Sequence, residues 1–367
     1  MPTVADVAAF LDRFAPPHLA ADWDNTGLLL GEAHRPAHRV LTCLTVTPNV
    51  VTEAVADGAQ MIVSHHPVLF RGAKKLSSNT PDGRLLLPLL SASIAVYSPH
   101  TSFDNCCGGI NETLAERFQL VNVKPLRPKE ANREVKLVVF VPESDLAKVS
   151  NAVFTAGGGV IGKYEQCSFR VPGTGTFFGT EATNPTIGQK GRREEVSELR
   201  LEVVAPEGRI DAVIAAMRAA HSYEEPAFDV YPLRPNKSGG EGRIGEWTET
   251  GGTLGEFAAR VKSACRASMV QFVGEASKPV KTVALACGAA SEFLTDAIRA
   301  KADVFVTGEM RFHDCLTAEA SGIGLVLPGH YATERPAVEM LADRLKAEFP
   351  NLVTWPSRSE RDPLTAV

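Results

Sequence analysis

Met61-Ile62-Val63-Ser64-His65-His66-Pro67 sets a short apolar strand directly against two adjacent imidazoles and a proline. Neighbouring side chains on a strand point to opposite faces, so the histidine pair chelates one ion only where the backbone turns. Pro67 biases His66 away from helix. A buried strand followed by an irregular loop is where an open α/β sheet places a site, at the carboxyl ends of its strands. Alone, the His-His dipeptide reads as a chance pair in a surface loop. Two further stretches supply partners. Tyr97-Ser98-Pro99-His100-Thr101-Ser102-Phe103-Asp104 follows the apolar run Ile94 to Val96, and Gly329-His330-Tyr331-Ala332-Thr333-Glu334-Arg335 follows Gly324-Leu325-Val326-Leu327-Pro328. With a helix beginning near Tyr331, His330 and Glu334 stand four apart on one face. The mixed nitrogen and oxygen set His65, His66, Asp104, His330 and Glu334 suits Zn, Fe, Mn or Ni. Five ligands exceed a four-coordinate site, and two are carboxylates able to bridge. That points to two divalent metal ions per chain.

These three stretches, with Asp22-Trp23-Asp24-Asn25-Thr26-Gly27 near the start and Ala302-Asp303-Val304-Phe305-Val306-Thr307-Gly308-Glu309 before the last, run through nearly the whole chain. In that order they resemble the signature of the NIF-three-like dinuclear-metal family, whose members are often labelled GTP cyclohydrolase I type 2 homologues. The resemblance implies His65, His66, Asp104, His330 and Glu334 as metal ligands, with Asp104 and Glu334 as bridges. It implies ring opening of GTP by metal-activated water, and a toroidal homohexamer, a trimer of dimers, with its metal sites facing an internal cavity. Many family members carry an Asp where this chain has Thr45, which puts in question any supporting role for that position.

Composition sets the outer bounds. A chain of 367 residues suits two domains better than one. With 44% hydrophobic and 22% charged residues it reads as an ordinary soluble globular protein. A net charge of -5 gives no general basic field for nucleic acid. Seven cysteines without CxxC spacing argue against a disulfide framework and for a reducing compartment. Met1-Pro2-Thr3-Val4-Ala5-Asp6 lacks the basic and apolar regions of a signal peptide, and no apolar run approaches the ~20 residues that span a bilayer. The expected setting is the cytoplasm, with no membrane contact.

Along the chain, Thr3 to Phe14 carries a helical apolar stripe with Thr3 as N-cap. Strands over Arg39 to Val46, Met61 to Val63 and Ile94 to Tyr97 alternate with helices over Pro48 to Ala56 and Asp82 to Leu90, the pattern of helices packed on a mainly parallel sheet. Asp22 and Asp24 read as turn formers or as lining for the site mouth. Gly108 and Gly109, ahead of a helix from about Asn111, suggest amide groups able to hold an anion. Cys106 and Cys107 read as a poor chelating pair.

Past Leu126-Arg127-Pro128 the pattern changes. Strands at Val135 to Val141, Ser168 to Val171, Glu198 to Val204 and Ala227 to Tyr231, with helices at Ser144 to Ala156 and Arg209 to Ala219, give a β-α-β, β-α-β order that suggests a ferredoxin-like unit. Cys167-Ser168-Phe169, Gly173 to Phe177 and His221 to Leu233 also resemble the inserted domain of longer family members, which is similar to the trimeric CutA and PII proteins. The charged stretch Gly188 to Glu195 reads as a solvated loop, and His221 with Glu224 and Glu225 as a turn at a strand entrance. Arg234 to Gly242 reads as the return linker. Strands and helices then alternate again from Arg243 to Lys301. The fold class is therefore α/β. Two halves, 1–128 and 236–367, form one metal-binding domain, interrupted by an α+β insert over 129–235.

The residues point to metal-assisted hydrolysis, with His100 or His313 as candidates to shuttle a proton or steady a ligating carboxylate. The substrate is a small molecule, a nucleotide by the resemblance, although no Walker pattern and no basic cluster stands beside the metal residues. A second reading is a metal- or nucleotide-responsive regulatory or metal-handling protein without catalysis. A third is a phosphoesterase.

Overall fold

The computed structural model describes residues 1–73, 75–129, 134–162, 164–234 and 239–365. They form two compact units, one of residues 1–129 and 237–367 and one of residues 130–236.

The first unit begins with α1 (Val4–Phe14), β1 (Gly27–Leu30), β2 (Arg39–Cys43), α2 (Pro48–Ala56), β3 (Met61–Ser64), α3 (Pro81–Ser91), β4 (Ala95–Ser98), α4 (His100–Asn105), α5 (Ile110–Arg117), β5 (Leu120–Lys124) and β6 (Arg127–Pro128). The second unit holds β7 (Glu134–Val141), α6 (Leu146–Thr155), β8 (Phe169–Phe178), β9 (Arg193–Pro206), α7 (Ile210–Ala220) and β10 (Phe228–Pro232). The first unit resumes with β11 (Gly240–Glu241), β12 (Arg243–Trp247), α8 (Leu254–Ala264), β13 (Gln271–Val273), β14 (Thr282–Leu285), α9 (Leu294–Arg299) and β15 (Val304–Val306). It closes with α10 (Phe312–Ala320), β16 (Gly324–Leu327), α11 (His330–Glu334), α12 (Pro336–Glu348) and β17 (Val353–Pro356).

Two larger sheets build the first unit, in the orders β1-β4-β3-β2-β17 and β13-β16-β15-β14-β12-β5, beside the two-stranded β11-β6. Strands β4, β3, β2 and β17 are parallel, as are β14, β15 and β16. The apolar run of β3 follows from burial on both faces. Met61 and Val63 join a core that also holds Leu285, Val304, Val306 and Val326 of the other sheet. Ile62, pointing the other way, packs with Leu41, Val50, Leu89 and Val96 under α2 and α3. The Thr3 hydroxyl caps α1 by accepting from Asp6 N at 3.2 Å, while the Asp6 carboxylate accepts from Thr3 N at 2.8 Å. Among the described residues no helix is long and apolar enough to cross a membrane.

The second unit is one antiparallel sheet, β10-β7-β9-β8, whose inner face packs Leu137, Val139, Leu201 and Val203 against Val149, Val153, Val213 and Met217 of α6 and α7. Strands β8 and β9 run well beyond the spans expected from sequence. They pair from Phe169↔Glu202 to Phe178↔Arg193, so the end of the charged Gly188 to Glu195 stretch is strand rather than loop. Pro172, Gly173 and Gly175 hide this in the sequence. They are tolerated because β8 is an edge strand. The expected linker is also corrected at its end, where Gly240–Glu241 pairs with Arg127–Pro128; residues 235–238 of it lie outside the described residues. His221 spends both ring nitrogens locally, on Phe140 O at 3.0 Å and Tyr223 N at 3.0 Å, which fits its reading as a turn residue.

The C-terminal strand is fastened by one carboxylate. Glu53 on α2 accepts from Trp355 Nε1 (3.2 Å), Ser357 Oγ (2.8 Å), Ser359 Oγ (2.7 Å) and the Arg358 and Ser359 amides (3.1 and 3.0 Å). Burial works to raise the Glu53 pKa, but the bonds from Ser359, Arg358 and Ser357 outweigh it and hold the carboxyl at about 2, against 4.5 for the free group. A carboxyl depressed on folding adds stability above its unfolded pKa and loses it as the pH falls through the folded one. Glu53→Ala therefore costs roughly 2 kcal/mol near neutrality. Urea unfolding at about pH 7 and about pH 3 checks this, and the gap from wild type narrows at the lower pH.

Candidate metal centre

The histidine pair continues β3 past its last strand residue. His65 N donates to Cys43 O at 2.9 Å and His66 N to Leu44 O at 2.8 Å, while Ser64 Oγ folds back onto His66 O at 2.7 Å. This turn is what lets adjacent residues face one space, with ring centroids 5.0 Å apart. His330 and Glu334 come from α11, entered through Gly329 at φ 105°, a conformation favouring glycine. Asp104 comes from α4.

Glu334 is the hub. Its Oε2 lies 3.1 Å from His66 Nε2, 3.0 Å from His330 Nε2 and 3.9 Å from His65 Nε2. His65 Nε2 lies 3.6 Å from Asp104 Oδ1. The structure thus brings His65, His66, Asp104, His330 and Glu334 together. His100 joins them: His65, His66 and His100 form one group of nitrogens within 4.8 Å of one another, and His66, His330 and Glu334 form a second such group.

The donor set fits divalent cations on an observation of the cluster itself. His65 Nδ1 and Nε2 and Asp104 Oδ1 are buried without hydrogen-bond partners. Such atoms are costly to desolvate unpaired. Separations of 3.6 and 3.9 Å are too long for hydrogen bonds. They are natural for two donors that each sit ~2.0–2.2 Å from a shared ion. Charge points the same way. Burial, then the Glu334 carboxylate, pushes the Asp104 pKa up, while Glu334 is held down against burial by His330 and His66. Contact with Glu334 raises His330 to about 9, and burial drives His65 well below the ordinary histidine value. Two buried carboxylates so close call for positive charge between them.

The supporting residues were only partly visible in the sequence. Asp24, fully buried, accepts from His100 Nδ1 at 2.6 Å and Thr101 N at 3.1 Å, and also from the Thr101 hydroxyl. It is not merely a turn former. Burial opposes ionisation of Asp24, but His100 and Thr101 prevail and hold it at about 2. Burial likewise lowers His100, yet Asp24 and then Asp104 leave its pKa raised. Thr45 does take a supporting role, with Oγ1 2.7 Å from His66 Nδ1. Glu309 places Oε1 2.9 Å from His330 Nδ1. Gly288, at φ 66°, leaves room that a side chain would fill, since a Cβ there would stand 2.2 Å from Glu334 Oε1.

His313 is not brought to the site. It lies exposed in the first turn of α10 and is not among the residues lining the cavity. Glu309, in the turn after β15, rather than His313 reaches His330. The amides before α5 are not free for an anion either, because Gly108 N donates to Glu112 at 2.6 Å. Cys106 is buried, its thiol directed to Phe103 O, and Cys107 is exposed. The cysteine that does line the site is Cys287.

The cluster opens on a cavity of about 400 Å³. Trp23 (57% exposed) and Phe70 (49%) stand at its mouth, with ring centroids 6.0 and 6.4 Å from His100. Glu241 and Glu292 line it, and no Lys or Arg does among the described residues.

The Duf34/NIF3 (NGG1p interacting factor 3) family matches residues 2–363. A relative from Halalkalibacterium halodurans, named GTP cyclohydrolase 1 type 2 homolog, is 39% identical over 325 residues, 88% of this chain and 87% of its own. One of the same name from Bacillus subtilis is 38% identical over 327 residues, 89% and 87% of the two chains. Among solved structures, the Bacillus cereus protein related to NIF3 is 35% identical with a TM-score of 0.78, covering 100% of this chain and 99% of that one. Staphylococcus aureus protein SA1388 is 28% identical with a TM-score of 0.80 and the same coverage.

Proposed function

Because the chain belongs to the Duf34/NIF3 family, we propose that it is a dinuclear metal-dependent hydrolase acting on a small planar substrate, with GTP-type ring opening as the leading reaction. The observation that carries this reading is the set of buried, unpartnered donor atoms on His65 and Asp104 beside Glu334. His65, His66, Asp104, His330 and Glu334 would hold two divalent ions. When bound, such ions supply Lewis acidity and a nucleophile at neutral pH. His100, fixed through Nδ1 by Asp24, turns its other nitrogen to the cavity, where it takes or returns a proton. Trp23 and Phe70 offer flat faces to a heteroaromatic ring at the mouth. With no Lys or Arg lining the cavity among the described residues, phosphates of a nucleotide would be met by the bound cations alone.

Screening GTP, other nucleotides and phosphoesters, on protein stripped of metal and then restored with Mn or Zn, tests the reading. Metal-dependent ring opening supports it. Phosphoester turnover instead moves the assignment to a phosphoesterase, and no turnover with metal bound favours a non-catalytic role. One observation favours that regulatory or metal-handling alternative. The insert holds its own cavity of about 850 Å³, lined by Phe140, Phe177, Ile187, Arg200 and Tyr223, large enough for an effector. The insert is a ferredoxin-like domain in this reading, supported by its β-α-β-β-α-β order. If it is only a spacer, hydrolysis survives its removal.

The proposed assembly is a homohexamer, a trimer of dimers, in the cytoplasm. Phe312 (71% exposed) and Leu316 (45%), one turn apart on α10, support burial between copies. Light scattering at micromolar concentration should give roughly six times 39.3 kDa, and a monomeric mass removes the claim.

A further inference from the structure

We propose that Glu360, near the C-terminus, is a positioning residue of the metal centre, steadying His66 through Thr45 and Glu334 through Arg335. The inference rests on reading the cluster as a metal site. The Glu360 side chain is 3% exposed. Its Oε1 accepts from Thr45 N at 2.7 Å and its Oε2 from Leu44 N at 2.9 Å. Oε2 also lies 3.1 Å from Arg335 Nε. Thr45 Oγ1 stands 2.7 Å from His66 Nδ1, and Arg335 directly follows Glu334, whose Oε2 is 3.1 Å from His66 Nε2. A closed ring results, running Glu360, Thr45, His66, Glu334, Arg335 and back to Glu360.

Each link has a physical reason. Buried Leu44 and exposed Thr45 lie just past the end of β2, where their amides have left the strand ladder and turn to Glu360 instead. One carboxylate satisfies both, each amide taking its own oxygen, where an amide side chain would present an N–H group in place of one of them. That fixes the height of the Thr45 hydroxyl. With a metal ion bound at Nε2, this hydroxyl would accept the Nδ1 proton of His66 and so fix the tautomer that a ligating imidazole requires. On the other side Arg335 also donates to Ser357 O at 3.0 Å, and the Ser357 amide donates to Thr42 O at 2.7 Å. The segment carrying Glu360 is therefore braced by β2, by α12 and by the Glu53 cage. One carboxylate holds the ligand-bearing loops of β3 and α11 in a single frame.

The test uses the full-length chain, stripped of metal and titrated with Co²⁺, reading affinity and the visible ligand-field bands beside the melting temperature of the apo protein. Thr45→Val and Glu360→Gln should each weaken cobalt binding about 10–100-fold and alter the bands, while Thr45→Ser restores wild-type behaviour. A purely structural role would move the melting temperature and leave the cobalt spectrum alone. An unchanged titration in either variant overturns the proposal. If Glu360→Gln does not fold, Thr45→Val decides, since it keeps shape and removes only the hydroxyl. If wild type takes up no cobalt, the metal reading itself falls and this inference falls with it.

Discussion

His66→Ala combined with Glu334→Ala should empty the metal centre while leaving the fold intact. Glu334 Oε2 is the point on which His65, His66 and His330 converge at 3.0–3.9 Å. Removing it with His66 takes the shared oxygen and one imidazole, leaving His65 with Asp104 on one side and His330 without a neighbouring ligand on the other. Neither remnant keeps the carboxylate oxygen on which the two sides of the site converge. The fold survives because its cores lie elsewhere, around Val63 with Val306 and around Ile62 with Val96. Deleting Glu334 even relieves a repulsion, since its charge helps push the Asp104 pKa up. Metal analysis and circular dichroism on the purified variant check both halves. Retention of two ions per chain would mean the ligands lie elsewhere.

Asp24→Asn should lower turnover about 10²–10⁴-fold with metal content unchanged. The Asp24 carboxylate bonds to none of the five ligands; its partners are His100, Thr101 and the Asn25 amide. Held at about 2 despite burial, its carboxylate is ionised near neutral pH and accepts from His100, the Thr101 amide and hydroxyl, and the Asn25 amide. An amide offers one acceptor and turns its own N–H groups toward donors, so His100 loses its fixed orientation and tautomer. The backbone there makes this sharper: His100 sits at φ 32°, sparsely populated for a residue with a side chain. Metal content by mass spectrometry beside kcat on whichever substrate the screen yields separates the outcomes. A drop in metal would move Asp24 from proton chemistry to metal retention, and unchanged kcat would remove His100 from the reaction.

How much of this was legible depended on sequence distance. The α/β class could be read from β2, β3 and β4 because their burial shows as apolar runs within a few residues. His330 and Glu334 could be paired because helix geometry makes an i, i+4 spacing a contact. The Asp24–His100 bond, 76 residues apart, leaves no such trace, and Asp24 in its Asp-rich loop looks like any turn. Gly288 and Cys287 follow a strand like many others, and only the clash a Cβ would make with Glu334 exposes the glycine's purpose. Glu309 and His313 show the limit of local reasoning, since both follow β15 and only the path of the turn decides which reaches His330. The C-terminal segment was silent altogether. Glu360 meets Thr45 across 315 residues, through a strand, β17, that the residues around it do not announce.

The most direct test of the central claim is metal content per chain, by mass spectrometry, on protein purified without chelator. Two divalent ions per 39.3 kDa chain is the predicted result. A protein that holds no metal tightly, and takes none up when it is offered, would contradict the reading of His65, His66, Asp104, His330 and Glu334 as a dinuclear centre.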